Sequence, residues 1–397
     1  MSQKLLSQFS YPPTKIRNIV AFLFLFLFIT NNALAAPRDQ AKRIHDRLAA
    51  SPPTEEVLNI MTQNIVDNDP ISAAMEAMKN KGFYNIFLKN YVTPWTNKDQ
   101  TVFRPLNDYT ATVIGIIRDD VSFKEILTGD VVYIGNPSPS EYSHTNNNHY
   151  NELEESDINL GDVTNLFPVT QSDLVDSQLS ASQTAGVLTS RAAGEAFLFA
   201  GTNRAMWEAT AKNHLCTEMA ELKDVSRPPD RIRQDVTRSP GGDSTIFLTS
   251  CVGCHAGMDP LIQAFAYYDW DQELERVLFT EGVVQAKYLN NSTTFPLGYI
   301  TKNDNWTNYW REGKNASHGW RGPNASGSGA KSFGEEVASS RSFSTCQVKK
   351  AFKEICFREP ANVDERNEVN RIADVFEAND YSMKRVFAEV ATFCMGS

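Results

Sequence analysis

TSCVGCHAGMDP, residues 249–260, sets the interpretation of the whole sequence. Two cysteines, Cys251 and Cys254, stand about one helical turn apart, and His255 follows directly. Covalent attachment of haem c needs two thiols at this spacing, which add to the two vinyl groups, and a histidine that reaches the iron from the same side. The motif therefore predicts one covalent haem c per chain, with Cys251 and Cys254 as attachment points and His255 as the iron ligand.

Two other kinds of site also use paired cysteines. A zinc site needs four ligands, usually from a second Cys or His pair at similar spacing, and the sequence has no second pair of that kind. A thioredoxin-like redox pair lies at the end of a strand that leads into a long helix. Because Gly257 and Pro260 follow the motif so closely, we expect no simple helix there, which disfavours the redox interpretation.

The sequence leaves the sixth iron ligand open. Met258 lies three residues after His255 and would have to cross to the other face of the haem, so we predict that it packs. His318 lies in the Gly- and Asn-rich stretch KNASHGWRGPNASGSG, where it could face a haem or be a solvated loop residue. Four methionines are further candidates: Met206, Met219, Met383 and Met395. Three arginines before the motif could pair with haem propionates or be solvated: Arg231, Arg233 and Arg238.

The first 35 residues are typical of an export signal. Lys4, Lys15 and Arg17 accompany the apolar run from Ile19 to Ile29, which is too short to span a bilayer comfortably, and the small residues up to Ala35 suit a signal peptidase. An uncleaved anchor is the alternative. No later stretch is apolar for long enough to cross a membrane. We therefore expect a periplasmic or secreted protein with no integral membrane segment after cleavage.

The charge of the chain limits its partners. The whole sequence of 397 residues has a net charge of −10, and loss of residues 1–35 removes only positive charges. Such an acidic chain disfavours nucleic acid and anionic membranes as partners. It favours a basic patch on another exported redox protein, although acidic surfaces also simply keep secreted proteins soluble.

Export brings the six cysteines into an oxidising compartment, so the four outside the motif could form two disulfides. Cys346 and Cys356 would stand ~15 Å apart on one continuous helix, which is beyond the reach of a disulfide. In an up-down-up arrangement of three helices, the end of the first helix lies beside the end of the third. This favours the pair Cys356–Cys394, which leaves Cys216–Cys346; free buried thiols are the alternative.

Helical periodicity dominates the rest of the chain and predicts a mainly α-helical, multi-module fold. The tail contains three amphipathic stretches: CQVKKAFKEIC, VDERNEVNRIADVFEAND and SMKRVFAEVATFC. The predicted segments are a signal peptide (1–35), an N-terminal helical domain (36–135), a polar loop or linker (136–183), a haem c-binding helical domain (184–280), an irregular loop segment (281–340) and a C-terminal three-helix module (341–397).

Several of these stretches together resemble a family of exported bacterial proteins with a planctomycete-type cytochrome c domain. The most specific are CVGCHAGMDPLIQAFAYYDWD and CQVKKAFKEICFREPANVDERNEVNRIADVF, and the resemblance covers most of the chain after the signal. It implies a string of helical modules that carries one covalent haem c, with Cys251 and Cys254 as thioether anchors and His255 as the proximal ligand. Residues 281–334 depart most from the family pattern, so no distal ligand is carried over.

Three functions are compatible with these features. The first is single-electron transfer between exported redox proteins, which needs both axial positions of the iron filled. The second is a haem enzyme of the peroxidase or oxygenase type, which needs an open sixth position and a polar distal group such as His318. The third is a non-catalytic cell-surface module with structural haem. Electron transfer is the least demanding for one haem without a second cofactor motif.

Overall fold

The structure is a computed structural model that describes residues 36–136, 140–199, 201–289 and 295–396. It is mainly α-helical, as the sequence predicts, with three short two-stranded ladders among these residues. The predicted export signal, residues 1–35, lies outside the described residues. In the part of the chain that is described, no helix combines the length and apolar character that crossing a membrane requires.

The described residues contain fifteen α-helices. Six precede the first strand: α1 (Pro37–Ala49), α2 (Glu55–Val66), α3 (Pro70–Ala77), α4 (Lys89–Val92), α5 (Asp108–Arg118) and α6 (Glu125–Thr128). Five more extend to the cysteine motif: α7 (Asn148–Glu155), α8 (Arg191–Ala193), α9 (Arg204–Leu215), α10 (Ser244–Ile246) and α11 (Val252–Ile262). The last four form the C-terminal part: α12 (Gly329–Ala338), α13 (Arg341–Cys356), α14 (Val363–Ala378) and α15 (Met383–Cys394).

Side-chain caps explain where the three predicted tail helices begin. The Ser340 hydroxyl accepts a hydrogen bond from the first turn of α13, Asn362 does the same for α14, and Ser382 does so for α15. Each cap pairs a backbone N–H that would otherwise have no acceptor, and such a cap contributes about 1 kcal/mol. The tail is therefore divided into three helices by local sequence alone.

Six short strands pair in three antiparallel ladders. Strand β1 (Val132–Gly135) pairs with β2 (Leu166–Val169), so the N-terminal segment and the polar segment after it are hydrogen-bonded together. Strands β3 (Tyr268–Asp271) and β4 (Arg276–Phe279) form a hairpin shortly after α11. In the segment 281–340, expected to be irregular, β5 (Asn305–Thr307) pairs with β6 (Ser326–Ser328), and α12 follows at once.

One hydrophobic core runs through the five predicted segments that follow the signal peptide. Phe387 of the last helix packs against three aromatic rings of the N-terminal part, with centroid distances of 5.7 Å to Phe83, 5.5 Å to Phe87 and 5.5 Å to Tyr91. Such aromatic contacts add to the free energy gained from burial. The C-terminal helices therefore share a core with the predicted N-terminal helical domain.

Both predicted disulfides are confirmed. Cys216 is bonded to Cys346 with a Cα–Cα distance of 5.2 Å, and Cys356 is bonded to Cys394 with a distance of 5.7 Å. Cys346 and Cys356 lie on the single helix α13, which is why they do not pair with each other. The two cysteines left as free thiols are Cys251 and Cys254.

A buried histidine makes the stability of the fold depend on pH. His214 is 1% exposed, its Nε2 lies 3.2 Å from the Tyr109 hydroxyl, and burial, helped by Lys350, holds its pKa well below 6.5. The unfolded chain takes up a proton at this residue near pH 6.5, whereas the folded chain does not. Stability is therefore retained above that pH and falls by about 1.4 kcal/mol per pH unit below it.

We expect His214→Gln, which cannot take up this proton, to flatten that dependence. The measurement is the free energy of unfolding in urea at pH 7, 6 and 5 for both proteins. His45 is also buried with a lowered pKa, so some slope remains in the variant. Equal slopes in the two proteins would contradict the assignment to His214.

Candidate functional site

The cysteine motif lies within a continuous helical segment. Asp243 caps its start by accepting the Thr245 backbone N–H, a π-helical stretch covers Phe247–Cys251, and α11 then carries Cys254 and His255. The expectation that Gly257 and Pro260 prevent a simple helix is wrong. Pro260 lies inside α11, and the helix continues past it to Ile262 although proline supplies no backbone N–H there.

Gly257 stays helical because another part of the chain packs on it. The indole ring of Trp310 lies directly against this position, and a Cβ added to Gly257 would stand 2.1 Å from its Cε2 atom. Trp310 is fully buried and cannot move aside at low cost. Contact with Trp310 therefore outweighs the low helix propensity of glycine and fixes α11 against the core.

Within α11, His255 and Asp259 form a pair one turn apart. The His255 Nδ1 atom lies 3.1 Å from Asp259 Oδ1. Because a carboxylate only accepts hydrogen bonds, Nδ1 carries the proton and donates a hydrogen bond to Asp259. This leaves Nε2 as the ring nitrogen that can bind a metal ion, and it fixes the orientation of the ring.

Asp259 is itself held by two arginines. Arg204 at the start of α9 donates to both of its oxygens, from Nε at 2.9 Å and from Nη2 at 3.2 Å, and the backbone N–H of Arg233 lies 3.3 Å from Oδ2. Burial alone would raise the pKa of this fully buried carboxyl, but the positive charges of Arg204 and Arg233 outweigh it and hold the pKa far below the usual range. Asp259 is therefore an anion.

Asp235 completes this cluster. Arg204 donates to it from Nη1 at 2.8 Å and from Nη2 at 3.0 Å, and the Nε of buried Arg233 lies 3.6 Å from its Oδ1. Two carboxylates and two guanidinium groups thus form a compact unit of zero formal charge beside His255. Removal of one member would leave a buried charge unpaired, which is costly.

The two thiols of the motif are partly buried, and Cys251 lies beside an apolar patch. Four side chains form this patch, against which Cys251 packs: Ile232, Val236, Phe247 and Ala256. The Cys254 thiol donates to the Met219 carbonyl at 3.5 Å, and burial raises its pKa although Lys223 and Lys314 oppose this. A protonated thiol is a poor nucleophile, so this geometry does not favour dithiol redox chemistry.

The other candidates for the predicted site lie in different surroundings. Met258 is 5% exposed and belongs to the main core, as do Met206 and Met383. The His318 Nδ1 lies 2.7 Å from the Ser342 hydroxyl, and its ring packs against Trp320 at 5.5 Å. Among the described residues, no hydrogen bond or ring contact joins His318 to the cysteine motif.

Of the three arginines considered for propionates, only Arg233 lies in the His255 cluster. Its guanidinium stacks over the Tyr288 ring at 4.6 Å and is fully buried. Arg231 donates to the Tyr299 hydroxyl, and Arg238 donates to backbone carbonyls of its own loop, including that of Ile232 at 3.1 Å. These contacts give all three arginines structural partners.

Sequence reasoning missed Asp259, Arg204, Asp235 and Trp310. Asp259 had a signal, since it stands four residues after His255 and would face it on a helix, but no helix was expected there. The other three come from distant parts of the chain, and no local pattern marks them.

Groups of three or more His, Cys, Asp or Glu side chains that could hold a metal ion are absent from the part of the chain that the structure describes. Comparisons with known proteins found no match to this chain among family models, curated proteins or solved structures.

Proposed function

We propose that this chain is an exported c-type cytochrome that binds one covalent haem and transfers single electrons. The observation that carries the proposal is the hydrogen bond from His255 to Asp259 beside two unpaired thiols. It directs Nε2 of His255 to metal binding, and Cys251 and Cys254 stand at the spacing that thioether attachment requires. The residues present therefore fit a haem c.

In this proposal Cys251 and Cys254 would hold the haem covalently, and His255 would bind its iron through Nε2. When bound, the haem supplies a one-electron couple between ferric and ferrous iron. Asp259 retains the Nδ1 proton of His255 in a hydrogen bond and thereby keeps the imidazole in one tautomer and one orientation. The apolar patch beside Cys251 excludes water from that side of the attachment site.

Compartment and partners belong to the same proposal. Two disulfides are compatible with an exported protein, and periplasmic or secreted chains keep such bonds oxidised. The partners would be other exported redox proteins, with a basic patch that suits the negative charge of this chain. Nucleic acid is disfavoured by the same charge.

The test is the purified full chain after expression together with the haem-attachment machinery. We expect a haem-stained band after denaturing electrophoresis and a ferrous haem c spectrum that carbon monoxide does not change, since electron transfer does not require an open position on the iron. The matched control is the same chain expressed without the machinery, which should carry no haem. A chain without a stained band contradicts the cytochrome proposal, and a shift with carbon monoxide favours the haem-enzyme alternative.

A further inference from the structure

We propose that Asp259 lowers the reduction potential of the haem by accepting a hydrogen bond from the Nδ1–H group of His255. This inference rests on the proposed function, since it concerns the haem that His255 would bind. A histidine that donates to a carboxylate is a stronger electron donor to its metal than one that donates to a neutral acceptor. Greater electron donation stabilises ferric over ferrous iron. Asp259 is therefore a positioning residue that also sets the potential.

The geometry keeps this hydrogen bond in place. Asp259 is fully buried on the same helix as His255, and Arg204 binds both of its oxygens, so the carboxylate cannot rotate away without breaking two further hydrogen bonds. The His255 side chain is only 20% exposed. Water therefore competes little for the Nδ1 proton.

Asp259 acts on the imidazole of His255 through their hydrogen bond more than through the long-range electrostatic field of its charge. The charges of Asp259 and Asp235 are matched by those of Arg204 and Arg233 within one cluster. A neutral cluster exerts only a weak field beyond its own bonds. Loss of Asp259 and loss of Asp235 remove the same charge from this cluster, but only Asp259 contacts His255.

This difference provides the experiment. We expect Asp259→Asn to raise the equilibrium ratio of ferrous to ferric haem at a given potential about tenfold, which for one electron is about 59 mV. Asp235→Asn should raise it much less. The measurement is a spectroelectrochemical titration of the full chain, with haem content determined for each protein. Equal shifts in both variants, or no shift in Asp259→Asn, would overturn the inference.

Arg204→Lys is a second test of the inference in case the Asp259→Asn variant does not fold. Lysine keeps the positive charge but cannot form the forked pair of hydrogen bonds to Asp259. The carboxylate then accepts a stronger hydrogen bond from His255. The potential should then fall, in the opposite direction to Asp259→Asn, and an unchanged or raised potential contradicts the inference. A wild-type chain without covalent haem contradicts the proposed function itself and is recognised before any titration.

Discussion

A chain with both Cys251→Ser and Cys254→Ser is expected to show no haem-stained band after denaturing electrophoresis. Serine hydroxyls do not form the thioether bonds that hold haem c through denaturation. The helix itself should survive, because both thiols are only partly buried and neither is part of a disulfide. Any haem retained through His255 alone would be lost in the denaturant. The readout is the stained band, with circular dichroism to check folding.

The control for that experiment removes the same number of cysteines elsewhere. Cys356→Ser with Cys394→Ser deletes one disulfide far along the chain from the motif and leaves Cys251, Cys254 and His255 unchanged. This variant should retain its haem band. A band that persists in the Cys251/Cys254 variant would show that the motif is not the attachment site.

The features that sequence could predict are those that local patterns determine. The cysteine motif is contiguous, and the three tail helices carry their own apolar stripes and capping residues. Helix geometry excluded a bond between Cys346 and Cys356, because the rise per residue sets them too far apart, and an assumed up-down-up arrangement of the tail helices then favoured Cys356–Cys394. In these cases a few neighbouring residues suffice to specify the result.

The features that escaped prediction depend on contacts between distant residues. Nothing near Gly257 in the sequence reveals that Trp310 packs on it and makes a glycine in α11 compatible with a stable helix. Likewise, Arg204 and Arg233 meet Asp259 only after folding. The contact of Phe387 with Phe83 joins the C-terminal helices to the N-terminal helical segment in the same way. At Gly257 the contact with Trp310 therefore outweighs the low helix propensity of the residue.

The two disulfides should differ in how much they stabilise the fold. Cys216–Cys346 closes a sequence separation of 130 residues, whereas Cys356–Cys394 closes 38. A longer closed loop removes more conformational freedom from the unfolded chain, so loss of the first bond should cost about 5 kcal/mol and loss of the second about 4 kcal/mol. Burial also makes loss of the Cys216–Cys346 bond the more costly of the two, since Cys346 is 1% exposed and Cys394 is only partly buried.

We expect Cys216→Ala with Cys346→Ala to lower the urea midpoint of unfolding more than Cys356→Ala with Cys394→Ala. Each variant loses two sulfur atoms and one bond, so their difference isolates loop length and burial. The opposite order would mean that the C-terminal helices depend on their own disulfide more than the chain depends on the bond between α9 and α13. Under the proposed function both variants keep the motif and hence the haem, so a haem band at equal intensity separates a loss of stability from a loss of the site.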